Sequence, residues 1–467
     1  MATAAAVPRF DAWLSAQQVE ALGRAIADPP AYARYRADAF ERFLRLPIEP
    51  NPLYRGYGYF TGVDLTGIDP LLSPPPVPAP GGLAGAVRIL HDGSGTRIDV
   101  PPELERAGVR VTPLAALWAT GDPGVEPFLR GAEEPTDRLT ALAAALLNRG
   151  YRLEVPDGWT EPVRVSDVTV LSAPHEALSI RRTVRTGART QLLLSEEVYA
   201  TPGAAPGQRL HASSIDLDVG ADAKAIVLTL HAPDLSAVSV YRRSATTGPN
   251  ARIGWLWNGF GGFRAKVRNQ TRLTGNGSKV DDLQTFYGAK NQSYDSSVDI
   301  THIGTDTHGQ SITRGVFDQE SRGMSRGLVR IEPNARKTIA YVSEHAMLLS
   351  RGARSDTIPI LEILCRDVKA THSTSVAPVD SEKVFYLESR GLSEADAIRA
   401  IGEGFLSYVH ERAPIAGLRE TLYPLLERRW NGEELAYRPG ADGEVLAELD
   451  VAGTESAPEW RFDAKLR

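Results

Sequence analysis

The chain has 467 residues, 24% of them charged and 42% hydrophobic, with a formal net charge of −6. That composition suits a large globular core or two to three units, and it argues against a basic nucleic-acid-binding surface. One cysteine, Cys365, excludes an internal disulfide framework and any four-thiolate cluster site built by this chain alone.

Residues 1 to about 148 mix helical patterns with proline-rich stretches. The N-terminus MATAAAVPRF lacks a charged region followed by an apolar core, so no secretory signal is read there and the cytoplasm is the expected compartment. Gln17–Ile26 and Pro30–Leu46 carry apolar residues at helical spacing. In the second, Tyr32, Tyr35, Ala39, Phe40 and Phe43 share one face. The cluster Pro74–Pro80 forbids helix and central strand, which leaves a linker or surface loop. Glu134–Asn148 reads as a helix ending near Gly150. Its Leu139–Leu147 stretch, the longest apolar run, is too short to span a bilayer and is expected as a short amphipathic helix, so no membrane partner is expected.

From about Tyr151 to Ser375 the pattern turns to strand. Val163, Val165, Val168 and Val170 lie near period two, and Ile215, Leu217 and Val219 alternate strictly. Ile226–Leu230 is a buried-type run. One corner chemistry recurs as Gly187-Ala188-Arg189, Gly220-Ala221-Asp222, Asn250-Ala251-Arg252, Asn334-Ala335-Arg336 and Gly352-Ala353-Arg354. Its Gly or Asn is expected to take the left-handed backbone that a tight corner needs. Such repetition suggests stacked coils, a β-solenoid, with a β-sandwich as the alternative. From about Val384 the pattern is helical again. Ser393 is an N-cap with Asp396 three residues on, and Ala397, Ile398, Ile401, Phe405, Tyr408 and Val409 form an apolar stripe that Pro414 ends. Leu418–Trp430 is a second helix, interrupted or started at Pro424. The tail after Gly440 is polar and expected to be loosely ordered.

Few residues announce a chemistry. No P-loop, dinucleotide fingerprint or H-E-x-x-H occurs. The G-x-S-x-G string from Gly323 through Ser325 to Gly327 is followed by a strand pattern, whereas a nucleophile elbow needs a helix there. Glu196-Glu197 cannot be judged without geometry, and Asp281-Asp282 reads as a solvated turn. His302 and His308, with an Asp between them, read as a polar β segment ending in a turn at Gly309 rather than as a metal site. Trp255, Trp257, Phe260 and Phe263 read as core, with a sugar-stacking platform as the alternative. Cys365 shares alternation parity with Leu361 and Ile363, which favours a buried, inert thiol over a cluster or persulfide site. His372 lies in a Thr/Ser-rich stretch and can bind iron when neutral.

One segment is specific. It holds Pro359, Leu361, Glu362 and Ile363, then Asp367-Val368-Lys369, His372, Phe385-Tyr386-Leu387, Ser389–Glu394 and Gly404-Phe405-Leu406. It closely resembles the SufB/SufD family, the scaffold subunits of the SUF iron–sulfur cluster assembly machine. Arg314-Gly315-Val316 and Arg326–Val329 extend the likeness upstream, and weaker likeness continues to about Gly150 and at Asp64-Leu65 with Gly67-Ile68-Asp69. The resemblance implies a mainly β fold: a right-handed parallel β-helix core flanked by N-terminal and C-terminal helical regions. The expected division is 1–148, 149–380 for the core, and 381–467 for the C-terminal region with its polar tail. It implies a scaffold without catalytic residues, pairing with a SufB-type subunit or with itself through the β-helix. A SufC-type ATPase would dock on Phe385, Tyr386, Arg390, Gly391, Ser393 and Glu394. His372, Cys365 and Lys369 are the cluster or interface candidates, with His372 a candidate metal ligand. No cofactor is expected to be held stably; a cluster would pass through a subunit interface. The family's SufB branch carries an acceptor cysteine in the strands before the histidine, where this chain has residues such as Glu344 and Ala353. SufB also tends to have Glu after the histidine, here Ser373, and SufD often has Cys two residues before it, here Ala370. The chain therefore resembles the SufD branch in its missing chemistry. The rival readings are a β-solenoid enzyme acting on carbohydrate and a homodimeric SufB-like scaffold.

Overall fold

Successive side chains of a strand point to opposite faces, so a chain with long period-two stretches can bury one face by winding over itself. The computed structural model describes residues 14–49, 63–79, 85–119, 137–437, 445–446 and 449–451. In it two sheets form the walls of a parallel β-solenoid. The first contains β1 (Val87–Asp92), β2 (Gly95–Asp99), β5 (Pro162–Leu171), β7 (Gln191–Ala200), β9 (Lys224–His231), β11 (Arg252–Gly259), β13 (Lys279–Gly288), β15 (His308–Phe317), β17 (Thr338–Leu348) and β19 (Val368–Pro378). The second contains β3 (Arg110–Pro113), β4 (Arg149–Val155), β6 (Ala177–Thr186), β8 (Arg209–Val219), β10 (Ala237–Thr247), β12 (Arg264–Leu273), β14 (Ser293–His302), β16 (Arg322–Ile331) and β18 (Arg354–Ile363). From β4 and β5 onward, register partners stand 26 to 33 residues apart along the chain, as in Val238 with Arg264 and Gln191 with Lys224. Within these two sheets the antiparallel pairings, β1 with β2 and β3 with β4, close the N-terminal end.

The corners differ from expectation. At Gly187-Ala188-Arg189 and Gly220-Ala221-Asp222 the left-handed residues are Arg189 and Asp222, and in the Asn334 corner it is Lys337; only Asn250 behaves as expected. The glycines serve close approach instead. A Cβ on Gly220 would lie 2.7 Å from Gly187, one on Gly275 2.1 Å from Gly248, and one on Gly304 2.7 Å from Gly275. They form a column down one edge in which each coil rests on the backbone of the one before.

Helices α1 (Ala16–Ala25), α2 (Pro30–Arg45), α3 (Pro102–Arg106), α4 (Leu114–Ala119) and α5 (Arg138–Ala145) belong to the N-terminal third. Of the expected Glu134–Asn148 helix, residues 134–136 lie outside the described residues, as do Pro80 and the first ten residues. The helix present is not amphipathic: Leu139, Thr140, Ala141, Leu142, Ala143 and Ala145 are all buried, since α5 is sandwiched between α2 and the solenoid. Helices α6 (Ser381–Glu388), α7 (Glu394–His410) and α8 (Leu418–Trp430) follow the last coil. α8 runs through Pro424 without a break. Leu406, Val409, Leu422 and Leu426 join one apolar cluster with Leu228, Leu256, Leu283 and Ile312, on the outer face of the first sheet. Most of the tail after Gly440 lies outside the described residues, but Leu446 and Leu449 are buried in that cluster.

Candidate functional site

The two ends of the solenoid are unlike. At the C-terminal end the sheets stop on β18 and β19, and among the described residues neither has a strand beyond it. Ile363 on β18 is 44% exposed, Leu364 beside it 52%, and Val376 on β19 40%. Apolar side chains and unpaired backbone edges together make this end a template for another chain.

His372 lies in register with Val342, a buried lumen residue of β17, so it occupies the lumen column one coil on, where the open end leaves it exposed. Lys369 pairs with Ile339 on the opposite face and is exposed. Cys365 is buried in the connection after β18, in the apolar cluster of Leu361, Val368 and Ala370. Its burial matches the expectation; the strand itself ends at Ile363, which is in register with the buried Ile331 and exposed only because it lies on the last coil.

Beneath His372 the lumen is polar. The register aligns Asp282, Ser311, Val342 and His372 in one column, and Gln284, Thr313, Glu344 and Thr374 in the next. From the facing sheet Ser325 Oγ donates to Glu344 at 2.6 Å, Asn269 Nδ2 to Asp282 at 2.7 Å, and Ser296 Oγ to Gln284 at 2.5 Å. Burial pushes the Glu344 carboxyl up to about 7, outweighing the Ser325 hydrogen bond and Arg326. It pushes Asp282 up to about 6 against the hydrogen bonds from Asn269 and Gln284. Glu344 Oε2, Ser311 Oγ and Thr313 Oγ1 are buried with no hydrogen-bond partner among the described residues. A small hollow adjoins this region, lined among others by Thr313, Ser325, Thr357, Phe286 and Phe317. Glu344 entered the sequence reading only as a replacement for a cysteine. The signal was its place in the parity of Ala340, Val342 and Ala346, all buried.

Several sequence expectations are corrected by burial. Asp281-Asp282 is not a solvated turn: both residues belong to β13, and Asp282 points into the lumen. Gly309 is inside β15 rather than in a turn, and His302 is buried with Nδ1 2.8 Å from Thr307 Oγ1. Burial pushes His302 down to about 3. Among the described residues no group of three His, Cys, Asp or Glu side chains is placed to hold a metal ion. Trp255 and Trp257 are wholly buried, Trp255 Nε1 donating to Thr271 at 3.0 Å, so they offer no sugar platform. Glu196 and Glu197 point to opposite faces. Glu196 meets Arg182 at 3.2 Å and Arg243 at 2.8 Å in the lumen, while Glu197 accepts the backbone N–H groups of Val445 and Leu446 outside it. They form no acid–base pair.

The helices carry the other candidates. Phe385 is 72% and Tyr386 57% exposed on α6, with the Arg390 guanidinium 5.2 Å from the Tyr386 ring centre. Gly391, at φ +98°, makes the turn to α7. Ser393 caps α7 by accepting the Asp396 N–H at 3.1 Å, and Glu394 stands in the first turn, where the helix dipole favours an acid. α7 is fastened to the solenoid: His410 Nε2 lies 3.1 Å from Asn258 Oδ1, and Arg314 of β15 lies 4.5 Å from the Tyr408 ring centre. The exposed aromatic pair thus sits between the open end and a helix packed on the outer wall.

The family model for the SUF system FeS cluster assembly, SufBD core domain, matches residues 170–405. The iron-sulfur cluster assembly protein SufD of Bacillus subtilis is 28% identical over 347 residues, covering 73% of this chain and 78% of that protein. SufD of Escherichia coli is 27% identical over 172 residues, 37% of this chain and 41% of that protein. An iron-sulfur cluster assembly SufBD family protein of Mycobacterium tuberculosis is 25% identical over 223 residues, 48% of this chain and 26% of that much longer protein.

Proposed function

This chain belongs to the SufBD family of the SUF iron–sulfur cluster assembly system, and on that premise we propose that it is a SufD-type partner subunit, without turnover of its own, that pairs end to end with a SufB-type subunit. The observation that carries the reading is the open end: two unpaired edge strands, apolar side chains in solvent, and His372 in the lumen column of the last coil. A second solenoid end set against it would satisfy the edges and enclose His372 at the junction, where a nascent cluster would be held in passing. The exposed Phe385 and Tyr386, next to that junction, are the docking surface for a SufC-type ATPase. Docked there, the ATPase would pull on α6 and α7, which are tied to the wall through Arg314 and His410.

The test is co-purification with the SufC ATPase and a SufB from the same source, then anaerobic reconstitution with iron and sulfide. A ternary complex that forms clusters, with His372→Ala lowering cluster yield at unchanged thermal stability, supports the reading. Absence of a complex with either partner, or a His372→Ala complex that loads normally, removes it.

A further inference from the structure

We propose that Arg181, Ser214 and Arg242, in one row on the outer face of the second sheet, form a binding site for a tetrahedral oxyanion such as phosphate. The site lies on β6, β8 and β10, under the N-terminal helices, and is independent of the pairing role above.

Register makes the row. Arg181 of β6 pairs with Ser214 of β8, and Ser214 pairs with Arg242 of β10. Two strand spacings put the arginine backbones roughly 9–10 Å apart, with one short side chain between them. The row continues as Arg268, Ser297 and Arg326 on β12, β14 and β16. One Arg-Ser-Arg unit thus occurs twice, and the second copy holds an anion from this chain. Arg268 Nη2 and Arg326 Nη1 both donate to Glu49 Oε2, at 3.0 and 2.8 Å, while Arg268 Nη1 donates to Ser297 Oγ at 2.6 Å. Glu49 arrives on the segment after α2, where the Leu46 carbonyl accepts from Arg138 Nε at 2.7 Å. Burial would raise the Glu49 carboxyl, but Lys266, Arg268 and Arg326 outweigh it and hold it below its ordinary value.

At the first copy, Arg181, Ser214 and Arg242 all line a cavity of about 30 Å³, together with Tyr32 and Tyr35 of α2. A single buried water needs about 10–15 Å³, so a larger group has room. Both guanidiniums are held by one carboxylate of the next row, Asp216, at 3.1 Å from Arg181 and 3.2 Å from Arg242. Two guanidiniums carry more N–H donors than one carboxylate can accept, and sharing Asp216 fixes both forks beside the cavity. Burial raises the Tyr35 hydroxyl above its ordinary value, against Arg181 and Arg242, so it keeps its proton and can donate. Donors from two forks, from Ser214 and from Tyr35 converge from several directions, which suits the oxygens of phosphate better than a planar carboxylate.

The experiment is calorimetric titration of the full chain, prepared without phosphate, with inorganic phosphate, glycerol phosphate, acetate and chloride at matched ionic strength. The expected result is saturable binding of one phosphate per chain, weaker binding of acetate and none of chloride. Arg242→Gln should weaken phosphate binding about tenfold or more. That change also takes a partner from Asp216, so Ser214→Asp is the second variant. It sets a carboxylate between the two forks, as Glu49 stands between Arg268 and Arg326, and should abolish phosphate binding while the melting temperature holds or rises. Glycerol phosphate binding as well as phosphate supports a site for a phosphate ester; its exclusion supports a site for the free ion. Absence of saturable phosphate binding, acetate binding as tight as phosphate, or parent-like phosphate binding by Ser214→Asp overturns the assignment.

Discussion

Asp167, Glu196, Asp282 and Glu344 are lumen carboxyls of almost equal burial, and their neighbours divide them. Burial raises all four, but for Asp167 and Glu196 the Arg182 guanidinium outweighs it and holds them below the usual carboxylate range. Asp282 has only amide donors, and its carboxyl stays near 6. Between an ordinary value of 3.8 and about 6 the unfolded chain has lost this proton while the folded chain keeps it. Its contribution to stability is therefore complete below about pH 4 and is lost as pH rises through 6. Asp282→Asn removes the titration. Urea unfolding at pH 4.5 and 7 should show the parent losing about 2 kcal/mol relative to the variant across that interval. A parent–variant difference that does not change with pH would contradict the assignment.

At the scale of elements, the glycine column and α7 make opposite demands on one residue type. Gly275→Ala would place a methyl 2.1 Å from Gly248 in the preceding coil, against backbone that cannot move without disturbing the next coil. We expect a loss of about 1–3 kcal/mol or more in denaturant unfolding. Gly404→Ala, on the exposed face of α7 with nothing within 4 Å, should gain about 0.5–1 kcal/mol. The element α6 carries its own prediction. Phe385→Ala with Tyr386→Ala removes solvent-facing rings that hold up no core. Capture of the SufC ATPase should fall at least tenfold in a pull-down with the melting temperature unchanged; retained capture would place the docking surface elsewhere.

At the scale of the whole molecule the decisive property is polarity of the stack. One end is closed by the antiparallel strands β2 and β3 and packed over by Leu104 and Val109; the other ends on β18 and β19 with no further strand among the described residues. Edge strands with apolar side chains are an aggregation liability unless covered, which is why a paired state is the expected resting form. Ile363→Lys with Val376→Lys should shift sedimentation velocity to the single chain, since charged groups would have to be buried in the junction. Pairing that survives both lysines would show that another surface does the joining.

Strand alternation is a local property, so Val163 through Val170 and Ile215 through Val219 declare strands from sequence alone, as Ser393 declares the start of α7. The family-specific string from Pro359 to Leu406 likewise carries the identity of the fold without any coordinates. What alternation cannot say is which coil lies over which. Register joins residues about thirty apart, and only register sets Asp282 beside Ser311, or Glu344 one coil beneath the row of His372. For that reason a solvated turn was expected where a lumen carboxyl stands, and left-handed glycines where glycines serve coil-to-coil contact. The open end is the last such case. Whether Ile363 and Val376 are core or surface depends on whether another coil follows, and that is decided by the stacking of the whole chain, not by the residues themselves.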